Sequence, residues 1–384
     1  MRRQMTTHQP MIPDPIELRR ALHRVPELGF LEHKTSDHLK QLMGRIGVIT
    51  PVGDTGFYVD MGSSNASKTL LLRADMDGLP VQEETGLAFA SEHKGHMHAC
   101  GHDAHMAALV AAAYSIRSNL PEELRIRFLF QPAEEGRGGA RFCVSEGVLD
   151  GVHAAFGLHL WNELPVGQVA LTDGGIMGSV IEFKVNFVGR GGHGALPERA
   201  KNPIYAASAL AETLEVFASS LAGRGALSVG ALQAGAAFNV IPETATLTGT
   251  ARAFDSDTEK EIEDVLRQTS DAIAKERGIC QTTRWERHCP ITRNDTRVAA
   301  MAREVAQSID GLHTVLDGYR TMAGEDFGEI LEVVPGAYAL LGSGKSDGTS
   351  YPHHSPFFEI EEAAIPIAVA LHCAVVERFA ERSL

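Results

Sequence analysis

The chain has 384 residues, enough for two domains, and with 44% hydrophobic and 22% charged residues its composition is that of a folded globular protein, which excludes wholesale disorder, collagen-like repetition and coiled coil. A net charge of −14, from 35 basic and 49 acidic residues, repels phosphate backbones and anionic lipid. With no basic patch in the sequence, a nucleic-acid or membrane-surface partner is excluded, whereas 17 histidines in so acidic a chain point toward metal sites.

The first 170 residues alternate helical and strand patterns. Asp14 or Pro15 opens a helix through about Arg24, a second helical pattern follows Thr35, and Thr69 to Ala74 (TLLLRA) reads as a short aliphatic strand. An alanine-rich helix runs from about Ala104, and Arg125–Phe130 (RIRFLF) and Ala154–Leu160 (AAFGLHL) read as further strands, with Gly136–Gly139 opening a short helix between them. This is an α/β pattern built on a mainly parallel sheet flanked by helices. From Ile181 the order becomes strand, helix (Pro203–Leu221), strand (Ala226–Gln233), strand (Thr244–Ala253), helix (Thr258–Ala274) and strand (Gln281–Glu286), the ferredoxin-like βαββαβ plan. The expected organisation is therefore a discontinuous main domain, residues 1–179 and 291–384, with a small domain, 180–290, inserted. The chain closes with an amphipathic helix over Glu361–Arg382.

The densest chemistry lies in Met97–His105 (MHACGHDAH), where His98, Cys100, His102, Asp103 and His105 offer thiolate, imidazole and carboxylate ligands of the kind a borderline divalent metal takes. Gly101 permits a sharp turn that would let Cys100 and His102 converge; the alternative is a polar loop capping the alanine-rich helix, with Asp103 as N-cap. Upstream, TLLLRA delivers Asp75 and Asp77, at i and i+2, to the carboxyl edge of its strand, where open α/β sheets bind ligands. They suit direct ligation, the orientation of a ligating histidine, or an acidic turn set by Gly78 and Pro80. RIRFLFQPAEEG ends in Glu134 and Glu135. Neighbouring carboxylates on an extended segment point apart, which disfavours a glycosidase and fits a division of labour between metal ligand and general base, or a solvated turn. His159 closes a fourth strand, and His353 and His354 lie in YPHHSPFF ahead of the last helix. Four separate segments, each at a strand end or before a core helix, thus present metal-type ligands.

Together LRRALHRVPELGFLEHKT, LLRADMDGLP, MHACGHDAH, FLFQPAEEG, GLHLW, GRGGHGALPERAKNP, FNVIPE, GTARAF, AGEDFG and HHSPFF resemble the amidohydrolase branch of the metal-dependent aminoacylase and glutamate-carboxypeptidase family, over nearly the whole chain and in the expected order. The resemblance implies a zinc-peptidase-like catalytic domain with an inserted lid and dimerisation domain. It further implies two divalent metal ions bridged by Cys100, with His102, Glu135, His159 and His354 as the other ligands, Glu134 as general base and Asp77 as a supporting carboxylate. His354 rather than His353 is chosen because the family's ligand stands two residues before a proline, here Pro356; Asp75 occupies the place of a metal-binding histidine in other branches, so its role stays open. His193 in GRGGHG would steady an oxyanion, in the related dimers at the partner's site, and Asn239 and Arg252 would contact substrate.

The expected activity is hydrolysis of N-acyl amino acids or related small amides by a metal-activated water, in a homodimer or a dimer-based oligomer, with zinc, manganese, cobalt or nickel as candidate metals. Two rivals use the same residues: a cysteine hydrolase with Cys100 as nucleophile and His102 or His105 as base, and a non-catalytic protein binding a small ligand. Five cysteines without a C-x-x-C pair argue for reduced thiols; the basic, proline-punctuated N-terminus lacks the apolar stretch of a signal peptide, and the apolar run Met106–Ile116 is too short for a bilayer. The expected location is the cytoplasm.

Overall fold

The computed structural model describes residues 12–118 and 120–381, so most of the basic N-terminal stretch, and Arg382 at the predicted end of the last helix, lie outside the described residues. The elements that matter here begin with α1 (Pro15–His23), α2 (His33–Met43), β1 (Ile49–Val52), β2 (Gly56–Met61), β3 (Lys68–Asp75), α3 (His102–Ile116), β4 (Leu124–Gln131), α4 (Gly139–Ser145), β5 (Ala154–Pro165) and β6 (Gln168–Ala170). They continue with β7 (Val180–Val188), α5 (Ile204–Ser219), β8 (Gly225–Ala234), β9 (Thr244–Ala253), α6 (Ser256–Arg277) and β10 (Cys280–Cys289), then α7 (Thr296–Ala306), β11 (Thr314–Leu316), β12 (Gly336–Gly344) and α8 (Ala364–Glu381).

One compact unit comprises the described residues through Thr172, Asp295–Gly318 and those from Ile330 onward. Its eight-stranded sheet has the order β1-β2-β4-β3-β5-β12-β6-β11. The central run β4-β3-β5-β12 is parallel, and antiparallel partners flank it. Thr69 to Asp75 are all buried, the signature of a central parallel strand with cover on both faces, which is why TLLLRA shows no alternation. Helix α3 is buried almost all round, and its alanines let it lie close against β3 and α8. Because β3, β4 and β5 run in one direction, β3 and β4 end level with one another at Asp75 and Gln131, and His159, midway along β5, stands two residues beyond the Gly157 that pairs with Arg73. The hairpin β1–β2 and the short edge strands carry no sequence signal of their own; Pro51 inside β1 fits an edge position.

The other unit comprises Asp173–Asn294 and Tyr319–Glu329. Its antiparallel sheet has the order β8-β9-β7-β10 with α5 and α6 packed on it, the ferredoxin-like arrangement. In β7 the residues Ile181, Phe183, Val185 and Phe187 are buried while Glu182 and Lys184 are exposed, the alternation of a one-sided sheet. Asp255 caps α6 by accepting the Thr258 N–H, and Gly278 ends it in the left-handed conformation at φ 59°. This unit extends beyond residues 180–290: the Thr292 hydroxyl donates to the Glu325 carbonyl and Arg252 to that of Met322, which ties Tyr319–Glu329 to it. Among the described residues no helix is long and apolar enough to cross a membrane.

Candidate metal centre

Gly101 has φ +85°, so the chain reverses there without a steric penalty and starts α3 at His102. Asp103 does not cap the helix, because no side chain makes the capping bond. Its carboxylate instead accepts from Arg19 Nε and His23 Nδ1, both at 2.8 Å and all three groups buried, and its charge lies in the first turn, where the helix dipole favours an anion. His98 sits on that side, its ring centroid 6.4 Å from that of His23, and does not join the residues below.

His102 Nδ1 donates to the Asp77 carbonyl at 2.9 Å, which fixes the ring with Nε2 directed elsewhere. That nitrogen is buried without a hydrogen-bond partner among the described residues, 4.0 Å from both Glu134 Oε2 and Glu135 Oε1 and 3.7 Å from Asp75 Oδ2. The Asp77 carboxylate accepts the backbone N–H of Glu134 (3.1 Å) on one oxygen and that of Glu135 (3.0 Å) on the other. Two strand ends are thereby joined, and the acidic pair, 11% and 15% exposed, stands over His102 rather than in a solvated turn.

Cys100 Sγ lies 3.4 Å from His159 Nε2. His159 Nδ1 donates to the Leu160 carbonyl at 2.9 Å, and that carbonyl also accepts from His353 Nε2 at 3.1 Å. His353 stacks on Trp161 with centroids 4.5 Å apart, so it acts as a wall beside the site while His354 turns the other way. His354 adopts φ +67°, strained for a non-glycine residue, and its N–H is anchored on the Ala99 carbonyl at 2.8 Å. Its Nε2 is 3.3 Å from Glu135 Oε1 without hydrogen-bond alignment.

Asp75 now has a defined place. Wholly buried, it accepts from His105 Nδ1 (2.7 Å) and Arg73 Nη1 (2.6 Å), and His105 Nε2 in turn accepts the Leu160 N–H at 2.9 Å. Both nitrogens of His105 are therefore engaged, so this ring is unavailable as a base toward Cys100. Burial alone would raise Asp75, but Arg73, His102 and His105 hold it well below the usual carboxylate range.

Sets of ligand atoms mutually within 4.8 Å include Cys100, His102 and His159; Cys100, Glu135 and His354; and His102, Glu134 and Glu135. Burial opposes charge on His102, yet Asp75, Asp77 and Glu135 carry it up to about 10, so the pocket favours a positive charge at Nε2. Burial, with His105 and His353, holds His159 well below its ordinary value, leaving a neutral imidazole. An unpartnered imidazole nitrogen and carboxylate oxygen, a thiol and neutral imidazole in one buried cluster fit a divalent cation of zinc type.

His193 and Asn239 are neighbours in the second unit, where Gly192–His193 pairs with Val240–Ile241 and the Gly194 N–H donates to the Asn239 carbonyl. His193 Nδ1 accepts the Ala195 N–H at 3.0 Å, so Nε2 carries the proton of the neutral ring. Arg252 lies on β9, half-buried, with Nη1 on the Met322 carbonyl at 2.9 Å. Glu32, which reaches the same acidic loop as Asp77, carries no sequence signal beyond its place before a helix.

The sequence profile of peptidase family M20/M25/M40 matches residues 71–378. An N-acetyl-L-cysteine deacetylase of Bacillus subtilis (strain 168) is 38% identical over 356 residues, spanning 91% of this chain and 84% of that protein. Hippurate hydrolase of Campylobacter jejuni is 36% identical over 351 residues, 89% of this chain and 90% of its own. A solved Bacillus subtilis structure, described as a dinuclear metal binding peptidase from the M20 family, aligns with a TM-score of 0.84 at 31% identity over 94% of this chain and 96% of that one. With a profile match over most of its length and relatives above 30% identity along nearly all of it, the chain belongs to peptidase family M20/M25/M40.

Proposed function

We propose that the protein is a metal-dependent amidohydrolase that cleaves the amide bond of N-acyl amino acids or related small amides, with Glu134 as general base. The observation that carries this reading is the membership of Cys100 in two overlapping ligand groups, one with His102 and His159 and one with Glu135 and His354, next to Glu134. A thiolate shared in this way suits a bridge between two divalent ions, for which zinc, manganese, cobalt and nickel are all acceptable. Such ions supply Lewis-acid polarisation of a carbonyl and make water acidic enough to lose a proton near neutral pH. The Glu134 carboxylate takes the proton from the attacking water and returns it to the nitrogen of the leaving amine. His159, held through Nδ1, and His102, held through Asp77, keep the ligand geometry rigid.

The proton on His193 Nε2 is available to donate to the developing oxyanion. Arg252 faces no carboxylate among the described residues, which leaves its guanidinium to grip a substrate carboxylate, with Asn239 as a further contact. The names of the two relatives, an N-acetyl-L-cysteine deacetylase and a hippurate hydrolase, support the substrate class. In this reading the second unit is a lid and dimerisation domain, and Tyr205 and Val216 on α5 and Leu232 on the edge strand β8, exposed at 62%, 75% and 42%, support a dimer. Cysteines outside any disulfide support the cytoplasm as its place.

The test is Glu134→Gln, which is expected to keep its metal, measured by elemental analysis, while losing at least about two orders of magnitude in kcat. Near-normal turnover by the metal-loaded variant would remove Glu134 from the role.

A further inference from the structure

We infer that Glu32 is a positioning residue for the acidic pair, its buried carboxylate holding Ala133 in the left-handed backbone conformation from which Glu134 and Glu135 are directed at Cys100 and His102. Ala133 is fully buried with φ +56°, one residue before Glu134. A side-chain-bearing residue in that region is intrinsically unfavourable and persists only where its surroundings over-determine it. Here they do. Glu32 Oε1 accepts the Ala133 N–H at 2.9 Å and also the N–H of Phe30 at 3.0 Å, itself left-handed at φ +62°, while Oε2 accepts the Thr55 hydroxyl at 2.7 Å. The Glu32 side chain is wholly buried and serves these distant groups instead of its own helix, for it stands at the N-cap position of α2 yet makes no capping bond.

Gly29 allows the close approach, since a Cβ there would lie 2.9 Å from Ala133 Cα and Cβ. With Asp77 taking the next two N–H groups, three successive backbone donors at 133, 134 and 135 end on carboxylate oxygens. Asp77 clamps the pair itself, and Glu32 sets the backbone turn from which it departs. Nothing in these contacts has Glu32 touching the reacting atoms.

The inference rests on the reading of Glu134 as general base, and the experiment separates the two. Glu32→Ala, Glu32→Gln, Glu32→Ala/Ala133→Gly and Glu134→Gln are each loaded with metal and compared for kcat, KM and bound metal. A displacement of about 1 Å at a reacting group costs about a hundredfold. Glu32→Ala is therefore expected to lose about tenfold to a hundredfold in kcat per metal-loaded site, with KM and metal content within about twofold of wild type. Glu32→Gln keeps a carbonyl oxygen for both N–H groups and should stay within about threefold in kcat. Ala133→Gly, which makes the left-handed conformation freely available, should restore at least about threefold in the Glu32→Ala background. If Glu32→Ala is insoluble, Glu32→Asp, a methylene too short to reach Ala133, is expected to show the same loss. A role confined to stability would lower the unfolding midpoint without changing kcat per loaded site and without recovery by Ala133→Gly; either result overturns the inference. An impaired Glu134→Gln beside a normal Glu32→Ala also overturns it, whereas a normal Glu134→Gln beside an impaired Glu32→Ala overturns the general-base reading instead.

Discussion

Removing the Asp77 carboxylate separates the two roles of this residue, because the Asp77 backbone carbonyl that orients His102 survives any substitution. Asp77→Ala deletes the acceptors of the Glu134 and Glu135 N–H groups, at 3.1 and 3.0 Å. A buried donor left without an acceptor costs about 1–3 kcal/mol, and bonds to an ionised acceptor lie toward the upper part of that range. Two such losses would reach about 6 kcal/mol in a dry interior. The loop is not dry, since Gly136 is exposed and the acidic side chains are 11% and 15% exposed, so water replaces part of each bond and about 2–3 kcal/mol is expected. Asp77→Asn retains one oxygen but turns an amide NH2 toward the second N–H, and should recover about half. The assay is urea unfolding in excess chelator, which removes the stabilisation that bound metal adds to the folded state. Kinetics on metal-replenished protein should show kcat down by about a hundredfold, because Glu134 is no longer held. An unfolding free energy for Asp77→Ala within about 0.5 kcal/mol of wild type would refute the argument, as would a kcat within about threefold.

Two further expectations follow from single side chains. Burial lowers His372 on α8 to about 3, and its Nδ1 has no hydrogen-bond partner among the described residues. The native state therefore keeps this ring neutral while the unfolded chain takes up a proton below about pH 6.5, so stability falls as pH falls from there toward 3, by about 2 kcal/mol between pH 6.5 and 5. His372→Leu in chelator should lose that much less over this interval, and an identical loss in both proteins would contradict the assignment. Mixing His193→Ala with Glu134→Gln tests the shared-site reading: a mixed dimer should regain one working site, and no recovery in a demonstrated heterodimer counts against a contribution from the partner.

The parallel core was legible because central strands buried on both faces leave aliphatic runs such as TLLLRA and RIRFLF. The ferredoxin-like unit was legible for the opposite reason, the clean alternation in β7. Ligand chemistry marks the MHACGHDAH, PAEEG, GLHLW and PHHSP segments as candidates, but the choice of Cys100, His102, Glu135, His159 and His354 within them rests on the family resemblance. What escaped is relational. Nothing local tells that Asp75 answers His105 and Arg73, that the Leu160 peptide links His105, His159 and His353, or that Asp103 serves Arg19 and His23 rather than a helix cap. Ala133 is the clearest case, since an ordinary residue type gives no warning of a left-handed backbone that a carboxylate 101 positions away sustains. The hairpin β1–β2 escaped because its short edge strands are held by pairing alone.

The most direct test of the central claim is hydrolysis of a panel of acetyl, benzoyl and indole-acetyl amino acids before and after exhaustive metal removal. Activity is expected to disappear with the metal and to return on addition of zinc, manganese, cobalt or nickel. Activity that survives metal removal and is abolished by alkylation of Cys100 would contradict that claim and make the thiol the nucleophile.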